Sequence, residues 1–307
     1  MHATIPQFPQ FRSLYLQDHD VLVGFLREHP PYSDYNFTSM WTWDVDGSKQ
    51  ISQLHGNLVV IFSDYVSKDR FISFLGSQKV PETVETLLTY SQQHNLGGTL
   101  RLMPEVVVSS LPPSRADLRI EEDEGSHDYI LSVELMKSMA GSKLGPKRNF
   151  INRYKRQYEK RTVVKKIDVQ DPFVQQQIIA LFCTWQKKAK KTCAETEDEF
   201  QALNRAMSHA SDFDLHALGI YIDTELVAFS IDEVVHDGYG VIHYEKANND
   251  IVGIYQYLKQ QSAYMFAELG CRYINYEQDL GIPGLRKAKR SHAPIDMLKK
   301  YTISCAI

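Results

Sequence analysis

The sequence predicts a mixed α+β fold of two tandem domains, each a mostly antiparallel sheet with flanking helices. The clearest observation is a run of three β-prone segments that leads into a helix and one further strand. The segments are Ala217–Ile222, Leu226–Val235, Tyr239–Ala247, Ile254–Leu269 and Arg272–Tyr276. The turn His236-Asp237-Gly238, between the second and third segments, is typical of a hairpin because Asp-Gly accepts positive φ angles.

The first half of the chain shows the same order of elements. Its segments are Gln50–Leu54, Asn57–Phe62, Arg70–Leu75, Val80–His94 and Thr99–Met103. The two halves share little sequence, so the repeat rests on element order, and coincidence is the alternative. The seam lies in Leu111–Gly125. We therefore expect a degenerate N-terminal domain of residues 1–125 and an active C-terminal domain of residues 126–307.

Composition places the chain among ordinary globular proteins. It has 307 residues, 43% hydrophobic and 23% charged, with a net charge of −4. The four cysteines lack CxxC or metal-ligand spacing, so we expect reduced thiols and no metal site. We find neither an apolar run long enough to span a membrane nor a secretion signal, and we expect a cytoplasmic protein.

One segment concentrates positive charge. Residues 143–166 contain ten lysines and arginines against one acid, Glu159. Apolar spacing predicts a helix over residues 143–160 that links the two domains. The helix is either a solvated element packing between domains or a basic surface for RNA or an anionic lipid headgroup. In the second case Lys155 and Arg156 are the candidate contacts.

Ionisable residues in the strand Tyr239–Ala247 suggest acid–base chemistry. A period of two places Val241, His243, Glu245 and Ala247 on one face. Glu245 is the leading candidate base for an attacking amine, with His243 as a second catalytic candidate. The alternative for both side chains is a structural ion pair, for Glu245 with an arginine.

The start of the helix that begins at Ile254 is a candidate anion site. Gly253 would let a ligand approach the backbone, and the free N–H groups of the first turn favour phosphate. As a plain helix boundary, Gly253 needs no ligand. Tyr255, in the first turn, is a candidate acid for a departing group or a packing residue.

The segment from Glu277 to Arg290 leaves a strand through acids and enters a short basic helix. Glu277 and Asp279 would hold a cationic substrate group or, alternatively, neutralise the helix that carries Arg286. The chain has no GxSxG, HExxH, Walker loop or GxGxxG pattern. Covalent, metal-dependent and nucleotide-hydrolysis mechanisms are therefore not expected.

Four segments of the chain resemble one known family. They are 32–43 (YSDYNFTSMWTW), 147–154 (KRNFINRY), 243–247 (HYEKA) and 277–289 (EQDLGIPGLRKAK). They are similar to bacterial proteins of unknown function that are related to the C-terminal domain of phosphatidylglycerol lysyltransferases. The resemblance implies two tandem domains of the GNAT (acyl-CoA N-acyltransferase) fold, akin to Fem-type aminoacyltransferases.

The resemblance also implies where a carrier would bind. In GNAT enzymes a strand polarises the acyl carbonyl and the following loop holds the carrier's pyrophosphate. Those roles fall on Lys246, Ala247, Asp250, Gly253 and Ile254. Asp250 would repel a diphosphate and the lysyltransferases use aminoacyl-tRNA, so acyl-CoA and aminoacyl-tRNA both stay candidate co-substrates.

The sequence thus predicts an acyltransferase that moves an acyl or aminoacyl group from an activated carrier to an amine or hydroxyl by direct attack. No tightly bound cofactor is expected. The alternative is a non-catalytic tandem-GNAT module that binds RNA or an anionic ligand. Arg286, Lys155 and Arg156 complete the candidate substrate contacts. Possible partners are tRNA or an anionic lipid headgroup, and the oligomeric state is not predicted.

Overall fold

The computed structural model describes residues 4–64, 67–113 and 115–306, and within them it contains fourteen strands and ten α-helices. In chain order the strands are β1 (Arg12–Ser13), β2 (Gln50–Leu54), β3 (Asn57–Ser63), β4 (Arg70–Leu75), β5 (Leu100–Pro104), β6 (Leu118–Glu122), β7 (Asp128–Ser132), β8 (Thr162–Lys166), β9 (His216–Ile222), β10 (Glu225–Val234), β11 (Tyr239–Ala247), β12 (Tyr273–Asn275), β13 (Asp296–Leu298) and β14 (Lys300–Cys305).

The helices lie between these strands and differ widely in length. In chain order they are α1 (His19–Leu26), α2 (Phe37–Thr42), α3 (Val80–Gln93), α4 (Glu105–Val108), α5 (Val133–Ser138), α6 (Gly145–Tyr158), α7 (Pro172–Lys188), α8 (Cys193–Ser208), α9 (Ile254–Glu268) and α10 (Pro283–Arg290). No helix in the described part of the chain has the length and hydrophobicity needed to cross a membrane.

The strands form two seven-stranded, mostly antiparallel sheets. The first has the order β1-β2-β3-β4-β5-β14-β6 and the second the order β13-β7-β12-β11-β10-β9-β8. Each contains a parallel pair joined through a helix, β4 with β5 through α3 and β11 with β12 through α9. This repeated arrangement confirms the predicted mixed α+β, tandem GNAT-like fold.

The chain divides into two compact units, and each unit combines segments that are not adjacent in the sequence. The first unit contains Met1–Asp128, Gln278–Ile282 and Leu298–Ile307, and the second contains Tyr129–Glu277 and Pro283–Met297. The sequence predicts a second domain that contains all of residues 126–307. The difference arises because β14 pairs with β5 and β6, which makes the C-terminal strand part of the first sheet.

Local sequence explains why the elements near the site form. Asp237 and Gly238 both have positive φ, 58° and 76°, as the predicted hairpin turn requires. Helix α8 begins with a capping box in which Thr192 and Glu195 bond each other's backbone N–H groups. Ile151 and Tyr154 of α6 and Leu144 just before it are buried, each at most 3% exposed, whereas Tyr158, predicted on the same apolar stripe, is half-buried.

Candidate functional site

Strand β11 carries a bulge at His243 that determines which side chains share a face. Ile231 of β10 pairs with Tyr244, whereas the next residue, Asp232, pairs with Ile242, so His243 is an extra residue. Ile242 and Ala247 are an odd number of positions apart and would lie on opposite faces of a regular strand. Because of the bulge, both pack in hydrophobic clusters with α9. The regular alternation predicted for this strand is therefore wrong across His243.

The candidate site lies where β11 and β12 separate. The two strands pair only over Tyr239–Val241 and Tyr273–Asn275. Glu245 lies on β11 beyond the last pair, and Tyr276 follows β12 directly. The Tyr276 hydroxyl donates to Glu245 Oε1 at 2.8 Å, while Lys259 of α9 binds Glu245 Oε2. These contacts fix both carboxylate oxygens of Glu245.

Burial and charge set the protonation states of this cluster. Burial favours the neutral form of Glu245, but the charge and hydrogen bond of Lys259 outweigh it, so the pKa of Glu245 lies below its usual value. Burial lowers the pKa of Lys259, against the attraction of Glu245. The Lys259 Nζ also lies 3.5 Å from the centre of the Tyr276 ring, a cation–π contact. Glu245 is thus an ionised carboxylate in an ion pair. Its partner is Lys259, whereas the ion pair considered from the sequence was with an arginine.

His243 is held between two carboxylates. Its Nε2 lies 2.8 Å from Glu233 Oε2, and its Nδ1 lies 3.8 Å from Glu277 Oε1. Burial opposes the charge, but the hydrogen bond to Glu233 and the charges of both acids raise the pKa of His243 to about 9. A histidine that is protonated at neutral pH cannot accept a proton, so the geometry favours the ion-pair interpretation for His243. Glu277 is the second acid that faces its ring.

Asp232 is a titratable group that the sequence analysis did not select. It is fully buried on β10, and burial raises the pKa of its carboxyl to about 7, against a hydrogen bond from Ser230. The Ser230 hydroxyl donates to Asp232 Oδ2 at 2.7 Å, and Oδ1 has no hydrogen-bond partner among the described residues. Such a pKa is matched to proton transfer near neutral pH.

The backbone of Ala247 and the side chain of Tyr255 meet at the end of β11. The N–H of Asn248 bonds Val227 of β10, so the N–H of Ala247 points away from β10. The backbone of Ala247 and the side chain of Trp185 lower the pKa of the Tyr255 hydroxyl, but burial has the larger effect. Burial raises the pKa of Tyr255 far above its ordinary value, which disfavours it as a proton donor.

Gly253 has a packing role at the start of α9. Its φ is +89°, and a Cβ built there would overlap the carbonyl oxygen of Phe150 and lie 3.2 Å from Tyr154 Cβ. Helix α6 therefore covers this position and accounts for the glycine without a ligand. Ile254 beside it is 2% exposed and belongs to the hydrophobic core.

The other candidates for carrier binding are held in ion pairs. Asp250 pairs with Lys188 of α7. Lys246 lies 2.5 Å from Glu199 of α8 and places its Nζ 4.0 Å from the centre of the Trp185 ring. Both contacts tie the end of β11 and the following loop to the α7–α8 pair.

The basic helix presents its two candidate contacts differently. The Lys155 Nζ lies 5.8 Å from the centre of the Tyr257 ring and is half-buried, whereas Arg156 is exposed. Arg153 and Lys160 are exposed as well. Arg286 lies half-buried in α10.

Asp279 belongs to the first unit and is fully buried. Its Oδ1 accepts the N–H of Gly281 at 2.8 Å, which supports the turn before α10. The first unit also contains a cavity of about 300 Å³ whose lining residues include Asp34, Asp64, Asp123 and Arg101. Arg101 pairs with Asp64 at 2.6 Å.

A buried lysine lies in the same unit. Lys300 of β14 binds Asp34 and Asp128, the latter at 2.7 Å, and donates to Gln278 at 3.1 Å. Burial disfavours its charge, but the two carboxylates raise the pKa of Lys300 above its ordinary value. The cluster joins β14 to the 278–282 segment and explains how the chain's last strand is fixed in the first unit.

The sequence patterns do not predict the roles of Lys259, Asp232 and the buried Lys300. One signal for Lys259 is present in the sequence, since it lies among the apolar and small residues Leu258, Ser262 and Ala263 that face the core from α9. A lysine at such a position is almost never fully buried unless it is paired. Its partner could not be identified, because Glu245 is on a different element.

The two sheets and their helices define a tandem GNAT-like α+β protein. The family of phosphatidylglycerol lysyltransferase C-terminal domains matches residues 27–304. The chain belongs to this family, as its sequence segments indicated.

Solved structures share the fold over nearly the whole chain. A conserved protein of unknown function from Bacteroides thetaiotaomicron VPI-5482 has 24% identity and a TM-score of 0.82, covering 97% of this chain and 99% of that one. The C-terminal domain of a putative lysylphosphatidylglycerol synthetase from Agrobacterium fabrum has 13% identity and a TM-score of 0.61, covering 94% and 91%. L-PGS from Bacillus licheniformis has 15% identity and a TM-score of 0.60, covering 98% and 94%. A search of curated proteins found no significant match.

Proposed function

We propose that this chain transfers an aminoacyl group from an activated carrier to a hydroxyl or amine acceptor by direct attack. The observation that carries the proposal is the ionised Glu245, fixed by Lys259 and Tyr276 where β11 and β12 separate. Membership of a lysyltransferase-domain family supports the same class of reaction.

The reaction requires one bond exchange and one proton movement. The acceptor's oxygen or nitrogen forms a bond to the acyl carbon, and the bond from that carbon to the carrier's oxygen breaks. The acceptor loses a proton and the departing oxygen gains one. In this proposal Glu245 takes the acceptor's proton, and most of the acceleration comes from positioning and from stabilising the oxyanion.

Two observations support aminoacyl-tRNA over acyl-CoA as the carrier. Phe150 and Tyr154 approach Gly253 closely, which leaves little space for a pyrophosphate at that turn. Helix α6 exposes Arg153 and Arg156, which suit the phosphates of a nucleic-acid backbone. The family name further suggests a lysyl group as the acyl part and phosphatidylglycerol as the first acceptor to test.

The test is transfer of labelled lysine from lysyl-tRNA to phosphatidylglycerol vesicles and to soluble amines, with the full chain. Glu245→Gln should reduce turnover by about 100-fold or more while tRNA affinity is kept, because general-base catalysis contributes about that much. Glu197→Gln, at an exposed position of α8, is the matched control and should keep full turnover.

Failure takes distinct forms in this assay. A chain that binds tRNA but shows no turnover with any acceptor is the non-catalytic binding module. If tRNA does not bind even at low salt, the tRNA-dependent hypothesis is wrong. Binding should instead weaken steeply with salt and on combining Lys155→Glu with Arg156→Glu.

A further inference from the structure

The cavity of about 300 Å³ in the first unit combines charged and apolar walls. Every residue that lines it belongs to that unit, either to Met1–Asp128 or to Gln278–Ile282. Its apolar lining residues are Phe62, Phe71, Leu102 and Leu280. A volume of this size lies at the lower end of the range found for small-molecule sites. The cavity therefore suits a small ligand that has both charged and apolar parts.

Arg101 presents unused hydrogen-bond donors to this cavity. Its Nη2 donates to Asp64 Oδ2 at 2.6 Å, whereas its Nε and Nη1 groups have no acceptor among the residues that the structure describes. The Arg101 Cζ lies 4.4 Å from the centre of the Phe71 ring, and Phe71 stacks in turn on Phe62. The side chain is 32% exposed, so a ligand can reach its donors. A guanidinium that is held in one orientation with N–H groups to spare is suited to bind a carboxylate.

Asp123 supplies an unused acceptor to the same cavity. Its Oδ2 accepts the hydroxyl of Ser126 at 2.7 Å, and its Oδ1 has no donor within the described part of the chain. The residue is half-buried, and the N–H of Ser126 donates to its carbonyl at 3.0 Å, which fixes the turn. A carboxylate oxygen that is held in this way and remains accessible is suited to accept an ammonium group.

The other acids of the cavity are already engaged. Asp34 binds the buried Lys300. Asp64 accepts from Arg101 and from the N–H of Ser67, the latter at 2.9 Å. Among the charged residues that line the described cavity, unused hydrogen-bonding groups of opposite charge therefore remain on one guanidinium and one carboxylate.

We propose that this cavity binds a small free amino acid with an apolar side chain. The carboxylate of the ligand accepts from Arg101, its ammonium group donates to Asp123 Oδ1, and its side chain packs against Phe62 and Leu102. Displacing water from a charged group costs free energy unless a partner replaces the water. A ligand with both charges satisfies both walls, whereas a ligand with one charge leaves the opposite wall unpaired.

This site is separate from the proposed transfer reaction. The carboxyl group of an aminoacyl ester carries no charge, so the contact with Arg101 selects the free amino acid over the aminoacyl group of a carrier. The binding test uses neither tRNA nor an acceptor. The two proposals therefore fail independently.

The first measurement is isothermal titration calorimetry of the unmodified full chain with L-alanine and L-leucine, followed by two analogues of leucine. Leucinamide lacks the carboxylate, and N-acetyl-leucine lacks the ammonium group. We expect the amino acids to bind and each analogue to bind about tenfold more weakly or worse, the loss expected for one charged hydrogen bond. Since no substitution is involved, this result does not depend on how a variant folds.

Two substitutions then assign the contacts. Arg101→Gln and Asp123→Asn should each weaken leucine binding about tenfold or more. In Arg101→Gln the preference for leucine over leucinamide should also disappear, which a general loss of structure would not produce. Arg119→Gln and Glu121→Gln are the matched controls, because these two residues form an exposed ion pair of β6 in the same unit. Both controls should bind leucine as the unmodified chain does.

Three results would overturn the proposal. The first is that neither amino acid binds. The second is that either analogue binds as tightly as leucine: leucinamide would then identify a site for cations, and N-acetyl-leucine a site for anions. The third is that the control substitutions weaken binding as much as Arg101→Gln and Asp123→Asn do.

Discussion

Replacing Lys259 by methionine tests whether the buried ion pair holds the second unit together. Lys259 is 1% exposed, and its partner Glu245 is enclosed as well, with 18% of its side chain exposed. Removing one member of a buried pair leaves the other charge uncompensated, which costs about 3–5 kcal/mol. Urea unfolding followed by circular dichroism should show a loss of that size.

A double variant separates the lost pair from lost packing. Lys259→Met combined with Glu245→Leu removes both charges and leaves only the Tyr276 hydroxyl without its acceptor, a cost of about 1–3 kcal/mol. The double variant should therefore be more stable than Lys259→Met alone. Lys137→Met is the surface control, since Lys137 forms an exposed pair with Glu134 and should cost less than about 1 kcal/mol. The reasoning is refuted if Lys259→Met costs no more than this control, or if the two core substitutions simply add.

The same variant has a defined pH dependence. In the unmodified chain the pKa of Glu245 lies below 4.5, so its contribution is present above that pH and is lost as pH falls. Without Lys259, burial raises the pKa of Glu245, and the variant loses stability as pH rises instead. The difference in the free energy of unfolding should therefore shrink as pH is lowered toward 4.5. A difference that is constant with pH would show that Glu245 is not the group left uncompensated.

Two further predictions concern backbone packing and histidine charge. Gly253→Ala should lower the melting temperature more than Gly270→Ala. Both sites have positive φ, but only at Gly253 would the new Cβ meet the backbone, at the Phe150 carbonyl. Equal effects of the two substitutions would contradict this contact. The stabilisation from His243 should be complete below pH 6.5 and be lost as pH rises through about 9, since its folded pKa is raised. Glu233→Gln should lower that pKa in an NMR titration, and an unchanged value would exclude Glu233 as its cause.

Sequence periodicity predicted the elements well because their causes are local. The strand Tyr239–Ala247 has the observed bounds of β11, and the helix predicted from Ile254 begins at that residue. Turn chemistry at Asp237-Gly238 and apolar spacing in the predicted helices act over a few residues, so one chain segment contains the whole signal.

The candidate site was predicted only in part. Glu245 was selected because a carboxylate in an apolar strand needs a partner or a function, and the structure supplies Lys259 and Tyr276 as partners. His243 was selected for the same reason, but its ion pair with Glu233 depends on a bulge that no local pattern announces. The phosphate expected at Gly253 was inferred from a glycine that instead makes room for α6.

The amino-acid sequence by itself determined the element order, the two similar sheets, the family and the presence of unusual charges in β11. The tertiary structure decided which charges meet. It brought Lys259 to Glu245, Lys147 to His292 and β14 into the first sheet. Such pairings join residues far apart in the chain. The entropic cost of closing the intervening loop rises only slowly with its length, so many distant partners are almost equally accessible to a given residue. Separation in sequence therefore gives almost no information about which residues pair.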